Sequence, residues 1–258
     1  MTGAQAPDAL ARLRQTIENT QSYQYDKATR PLSLGLGGPD ALLGGGLARC
    51  ALHDISPGAP IHLGAATGFA LALAALSSRA SGGRRETLFI QTDMARFESG
   101  APYGIGLDLF GLTSRRLLVL RARRPIDALF AMEEALKCPG IGSVIAELPD
   151  DAADLTATRR LSLAARTHDG IGLLLRHRST SAPSAAMTRW EVAASPGPRD
   201  AFGGVGTTAF LLSLVKNRRG PCGGFRIAWS HDELAFVEAD PVAVAAPPAD
   251  RPADAARA

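Results

Sequence analysis

Phosphate chemistry needs two side chains that this sequence does not supply where they would be expected. The stretch His53-Asp54-Ile55-Ser56, followed by Gly58 to Ala70, has the order of a strand, a turn and a helix. A working phosphate loop reads G-x-x-x-x-G-K-[ST], with the lysine on the terminal phosphates and the hydroxyl on Mg²⁺. With Gly68 as the second glycine, Leu63 takes the place of the first, Phe69 that of the lysine and Ala70 that of the hydroxyl, and Gly64 lies inside the loop. Without an ammonium group and a metal ligand, charge building on a phosphoryl group is not neutralised, and the rate falls by orders of magnitude. The expectation is a degenerate loop in a non-enzyme, with no catalytic residue, metal or cofactor. An anion or nucleotide held at the helix N-terminus without hydrolysis stays open, and so does an ordinary strand-to-helix turn.

Two acids follow apolar runs, Asp93 and Glu147. Such positions serve catalytic carboxylates, but with no lysine or hydroxyl beside them they read equally as turn or cap residues. Lys216 and Arg218 are two apart in an apolar run, so as strand residues they share a face. That face is either solvated or reaches a partner. Arg176-His177-Arg178 opens a Ser/Thr/Ala/Pro-rich stretch to Met187, where two arginines can hold phosphate without reading sequence. Arg159 and Arg160 fall on a helix whose stripe is Ala157, Leu161 and Ala164, and form a solvated face or a nucleic-acid patch. His53, His62, His168, His177 and His231 make no metal pattern. Cys50, Cys138 and Cys222 are too dispersed for a disulfide framework or a zinc site.

These residues need a scaffold. Short apolar runs at Cys50–Ile55, Glu86–Gln91, Arg116–Arg121, Ser143–Leu148 and Ile171–Arg176 alternate with helical patterns at Gly68–Ala80, Ile126–Lys137 and Asp154–Thr167. Strands with little alternation, separated by helices, predict a mostly parallel sheet flanked by helices. Beyond residue 187 the runs Thr188–Ala194, Ala209–Val215, Gly224–Trp229 and Glu233–Glu238 have no helix between them. They predict antiparallel C-terminal strands on an α/β core. Pro7 to Gln21 has the spacing of an amphipathic helix, with Leu10, Leu13 and Ile17 on the face that would bind a neighbour. The expected organisation is an N-terminal helix and linker (1–30), a core domain (31–239) and an Ala/Pro-rich disordered tail (240–258).

Composition sets the outer bounds. Of 258 residues, 46% are hydrophobic and 21% charged, ordinary for a folded chain of this length. Lys+Arg at 28 against Asp+Glu at 25 gives a net charge of +3, a mild basic bias compatible with nucleic acid. The N-terminus lacks the apolar core of a signal peptide. The apolar run Phe69 to Leu76 is too short to span a bilayer. A cytoplasmic protein without a membrane partner is expected.

The order of motifs resembles RecA. Leu32-Ser33-Leu34-Gly35-Leu36 through Leu42-Leu43-Gly44-Gly45-Gly46-Leu47 is similar to the lead into its first core strand. Leu88 to Ala95 resembles the strand ending in its catalytic glutamate, with Asp93 in that place. Ser143 to Glu147 resembles its Walker B strand, and Leu214-Val215-Lys216-Asn217-Arg218 its V-K-N-K segment. Within that superfamily the chain most resembles ImuA, the RecA-like member of bacterial inducible-mutagenesis cassettes. The residues that carry this are Leu120-Arg121-Ala122-Arg123-Arg124-Pro125 with Ala128 to Leu136, Glu147-Leu148 with Asp154 to Leu161, and Thr188-Arg189-Trp190-Glu191-Val192.

The resemblance implies a RecA-like core, a place in the SOS response to DNA damage, and a part in error-prone translesion synthesis. The partners it implies are RecA, an ImuB-like Y-family-related protein and, through that, an error-prone replicative-type polymerase, with single-stranded DNA a further candidate. Two other readings stand beside it: a SulA-like cell-division inhibitor, and a DNA-stimulated ATPase with an unconventional loop.

Overall fold

The computed structural model describes residues 30–113, 115–197 and 207–239. The expected helix Pro7–Gln21, with Leu10, Leu13 and Ile17, and the tail 240–258 lie outside the described residues.

The described chain forms one nine-stranded sheet of order β3-β2-β4-β5-β1-β6-β7-β8-β9. Its strands are β1 (Ala51–Pro57), β2 (Glu86–Thr92), β3 (Leu117–Ala122), β4 (Ile141–Leu148), β5 (Ile171–Arg176), β6 (Thr188–Ser195), β7 (Thr208–Asn217), β8 (Gly223–Ser230) and β9 (Ala235–Glu238). All pairings from β3 across to β6 are parallel, and those from β6 to β9 are antiparallel. The change falls where the helical patterns stop in the sequence. A helix is what lets a chain return to begin a parallel neighbour, and hairpins make antiparallel ones.

The helices are α1 (Gly37–Leu42), α2 (Leu63–Ala80), α3 (Asp93–Ser99), α4 (Gly104–Asp108), α5 (Pro125–Leu136) and α6 (Leu155–Ala164). They cover both faces of the parallel sheet. On one, Phe69 and Leu73 of α2 pack with Ile55, Ile145, Leu173, Trp190 and Phe210. On the other, Ala128 and Met132 of α5 and Leu161 of α6 pack with Leu52, Val144 and Leu174. Central strands covered on both sides need no alternation, and β1 and β5 are buried throughout. With the turn before it, α2 (Pro60–Ala80) is long and apolar enough to cross a membrane by length and composition alone. Its burial against the sheet accounts for that apolarity.

The glycine-rich lead into β1 is a clasp. Leu32 and Leu47 exchange backbone hydrogen bonds, and Asp40 accepts from the N–H groups of Leu34 and Gly35. Gly46 closes it at φ +132°, where a Cβ would fall 2.5 Å from the Leu32 carbonyl oxygen. At the far margin of the sheet, β3 is an edge strand whose Leu118 and Val119 are 50% and 56% exposed.

The sequence places α2 too late. A 3-10 turn at Pro60–His62 runs directly into the helix, which starts at Leu63, not Gly68. The short helices α1, α3 and α4 are absent from the sequence reading, because six, seven and five residues are too few to show a period.

Candidate functional site

Ligands of open α/β sheets bind beyond the carboxyl ends of the strands, and the described chain has a cavity of about 610 Å³ there. It lies between the first turns of α2, the α3–α4 segment and the ends of β2 and β4. Leu63, Leu71, Phe89, Leu107 and Phe110 contribute apolar wall, and Gln91, Glu98, Ser99 and Glu147 the polar end.

Glu147 is the hub. It lies near the end of β4 at 2% exposure, paired in register with Gln91 on β2. Its Oε1 accepts from the Ser99 hydroxyl at 2.6 Å and shares a hydrogen bond with His177 Nε2 at 3.1 Å. Its Oε2 accepts from Gln91 Nε2 at 2.8 Å. The other ring nitrogen of His177 reaches Glu98 at 2.9 Å. Burial opposes the charge on Glu147, yet the bonds from His177, Ser99 and Gln91 hold its carboxyl below the usual carboxylate range. The hydrogen bond to Glu147 raises His177 above an ordinary imidazole, against its partial burial and with help from Glu98. The cluster therefore sets the His177 imidazole between two carboxylates, both of which favour its protonated form.

The phosphate-loop register read from the sequence needs correction. Gly68, Phe69 and Ala70 form no loop; they lie inside α2 and are buried. Phe69 is fully buried against Trp190, Phe210 and Phe236, at ring separations of 5.6, 6.1 and 5.7 Å. A Cβ on Gly68 would meet Phe110 at 3.2 Å. The first turns of α2 present Leu63, exposed Gly64, Thr67 and the Gly68 backbone to the cavity, while Ala66 is buried in the core. The Thr67 hydroxyl is bonded back to the Leu63 carbonyl at 3.0 Å. Among the described residues lining the cavity there is no lysine or arginine.

Asp93 is not beside Glu147 in the site. It opens α3, half-buried and ion-paired with Arg121, which lowers its pKa. Thr92 caps the same helix, accepting from the Ala95 N–H.

A second charged cluster lies under the 177–187 segment. Asp54 on β1 is fully buried, and Arg189 on β6 donates to its Oδ2 at 3.2 and 3.3 Å. Arg176 approaches its Oδ1 at 3.7 Å. Arg189 also holds the carbonyls of Thr180 and Ala182, and Arg176 those of Asp150 and Ala153. Arg176, expected on nucleic acid, is thus turned inward at 2% exposure. Its strand is buried on both faces, and Asp54 supplies the counter-charge.

Lys216 and Arg218 do not share a strand face. Lys216 is half-buried on β7 with its ammonium on the Ser184 carbonyl at 2.6 Å. Burial and nearby Arg218 push it down to about 8. Arg218 lies one residue beyond β7, exposed, with its N–H on the Met187 carbonyl. Of the remaining arginines, Arg178 and Arg159 are exposed, and exposed Arg160 pairs with Glu133 at 2.7 Å.

Sequence reasoning misses Gln91, Ser99, Asp54 and Arg189, and takes His177 for one scattered histidine among five. One signal is available: Gln91 directly follows the apolar run Leu88-Phe89-Ile90, where a polar residue has to find a partner inside the fold. The pairing of His177 with Glu147 has no sequence signature, since it depends on strand order.

No protein-family model matches the chain. Over 136 residues it is 34% identical to Protein ImuA of Caulobacter vibrioides, in strain NA1000 / CB15N and in strain ATCC 19089 / CIP 103742 / CB 15. The match covers 48% of this chain and 54% of that protein, so the chain spans about half the length of the curated relatives it matches. This similarity bears out the resemblance to ImuA read from the motifs.

Proposed function

We propose, with kinship to ImuA as the premise, that the chain is a non-catalytic accessory factor of SOS-induced mutagenesis and translesion synthesis. It acts in the cytoplasm by binding RecA, an ImuB-like protein, or both. One observation carries the non-catalytic part. The first turns of α2 offer the cavity Leu63, Gly64, Thr67 and Gly68, and Glu147 and Glu98 line it as well. A triphosphate would meet two carboxylates with no lysine or arginine among the described lining residues to offset its charge, and the Thr67 hydroxyl is bonded back to Leu63. Such a site disfavours the ground state and the transition state of phosphoryl transfer alike.

Two measurements test this. Purified chain, with and without single-stranded DNA and Mg²⁺, should release no phosphate from ATP above background; sustained turnover overturns the reading. Immobilised chain should retain RecA or the ImuB-like protein in a direct pull-down with purified partners, and failure to retain either removes the accessory role. Depolymerisation of the division protein FtsZ would point instead to the SulA-like alternative.

Arg218 is the cation of the V-K-N-R segment that is open to a partner, because Lys216 is tied to the loop. In the pull-down with RecA, Arg218→Ala should weaken retention at least as much as Lys216→Ala.

A further inference from the structure

The cavity beside Glu147 has a chemistry of its own, and it is not that of an anion site. A carboxylate offers about four lone-pair positions, and Glu147 uses three, on Ser99, His177 and Gln91. Gln91 is 3% exposed and lines the cavity. Its Nε2 is committed to Gly100 and Glu147, while its carbonyl oxygen has no hydrogen-bond partner among the described residues. Glu98 at the rim has a half-exposed carboxylate, bonded to His177 through one oxygen. The unused hydrogen-bonding capacity of Glu147, Gln91 and Glu98 is thus acceptor capacity, on two carboxylates and an amide oxygen.

Around this acidic end the walls and rim are apolar. Leu63, Leu107 and Phe110 line the cavity. Beside the lining residues Pro60, Glu98, Tyr103 and Gly106 stand Ile61 at 87% exposure, Phe97 at 88% and Ile105 at 64%. Nucleic acid would need cations where these residues stand. A protein segment with apolar residues around one cation would cover the rim and fill the acceptors together.

We propose that the cavity is a docking site for an arginine side chain presented by an apolar segment of a partner protein. Arginine fits better than lysine. Its planar fork carries five donors for acceptors that diverge around it, it stacks on aromatic faces such as Tyr103 and Phe110, and it loses less hydration on entry. The volume of about 610 Å³ suits one long side chain with part of its neighbours. The proposal rests on the non-catalytic reading and names the partner chemistry of that same site.

The test uses the full chain and three defined probes in calorimetric titrations: acetyl-Leu-Arg-Leu-amide, its citrulline counterpart, and acetyl-arginine-amide. The arginine tripeptide should bind, and the neutral citrulline form should bind about tenfold more weakly or worse, as expected for loss of a charge-assisted hydrogen bond. The flankless acetyl-arginine-amide should also bind more weakly than the tripeptide. Glu98→Gln should weaken the tripeptide several-fold. Gly64→Phe, at an exposed position where a Cβ meets nothing within 4 Å, should plug the mouth and abolish binding with an unchanged circular dichroism spectrum. No binding of the tripeptide, equal binding of the citrulline form, equal binding without the flanks, or full binding to folded Gly64→Phe would each overturn the proposal. ATP turnover in the same preparation would overturn the non-catalytic reading instead, so the two failures are separable.

Discussion

Phe69 and His177 show how far a residue's meaning depends on what surrounds it. In the sequence Phe69 occupies the place of a catalytic lysine; in the fold it fills the centre of a cluster with Trp190, Phe210 and Phe236. Phe69→Lys should therefore unfold the chain and not restore phosphate binding. Phe69→Ala should cost about 3–5 kcal/mol in urea unfolding. A Phe69→Lys protein that stays folded and binds ATP would reinstate the register counted from Gly68. That register misleads because glycine spacing is all the sequence offers, while the 3-10 turn that starts the helix early leaves no periodic trace. His177 leads to a pH prediction. Its raised pKa means that its stabilisation is complete below the ordinary value of 6.5 and is lost as pH climbs through the raised value. Glu147, lowered from 4.5, contributes fully above that pH and loses its contribution as pH falls through the lowered value. The pair is thus at full strength between 4.5 and 6.5. Buried His53 acts in the opposite sense: its pKa is lowered to about 4 by burial, so stability falls as pH drops from 6.5 toward 4. That loss amounts to about 3 kcal/mol at most. Urea unfolding from pH 5 to 9 should show that His177→Gln removes the decline on the alkaline side and leaves the His53 decline on the acid side.

At the scale of elements, the segment after β5 is held by side chains more than by its own backbone. Asp54 anchors Arg189, which holds the Thr180 and Ala182 carbonyls of that segment, and Arg176, which holds the Asp150 and Ala153 carbonyls between β4 and α6. Asp54→Asn leaves two buried guanidinium groups short of a counter-charge. It should cost about 3–5 kcal/mol and speed tryptic cleavage after Arg178, read by limited proteolysis. Unchanged cleavage would mean that the 177–187 segment is held by something other than this cluster. Gly46→Ala should be destabilising by at least about 2 kcal/mol, since it combines a left-handed φ with a backbone collision inside the lead clasp. The regular elements are legible because strands covered on both faces and helices with an apolar stripe impose different spacings on the chain. The strands and the long helices lie within a few residues of their expected positions, apart from the start of α2. The site is legible only in fragments. Glu147 can be singled out as a strand-end acid, but Gln91, Ser99 and His177 meet it only because β2 and β5 flank β4.

Taken whole, the molecule has two unlike margins. At one end β9 is four residues long and finishes on Glu238; at the other, β3 presents Leu118 and Val119 beside Ile126 and Phe130 of α5, all half-exposed or more. Natural sheets protect such margins with charge, proline or a cover. Val119→Lys should therefore lower light scattering of concentrated protein and leave the unfolding midpoint nearly unchanged. Equal scattering by the two proteins would show that this margin is not where molecules adhere. Among the described residues, a sheet with one short margin ending in a charge and one apolar margin behaves like a tile with a single sticky side. Crowding such tiles together favours sticking over staying apart, so their solubility depends on being made sparingly or on meeting something that covers that side first.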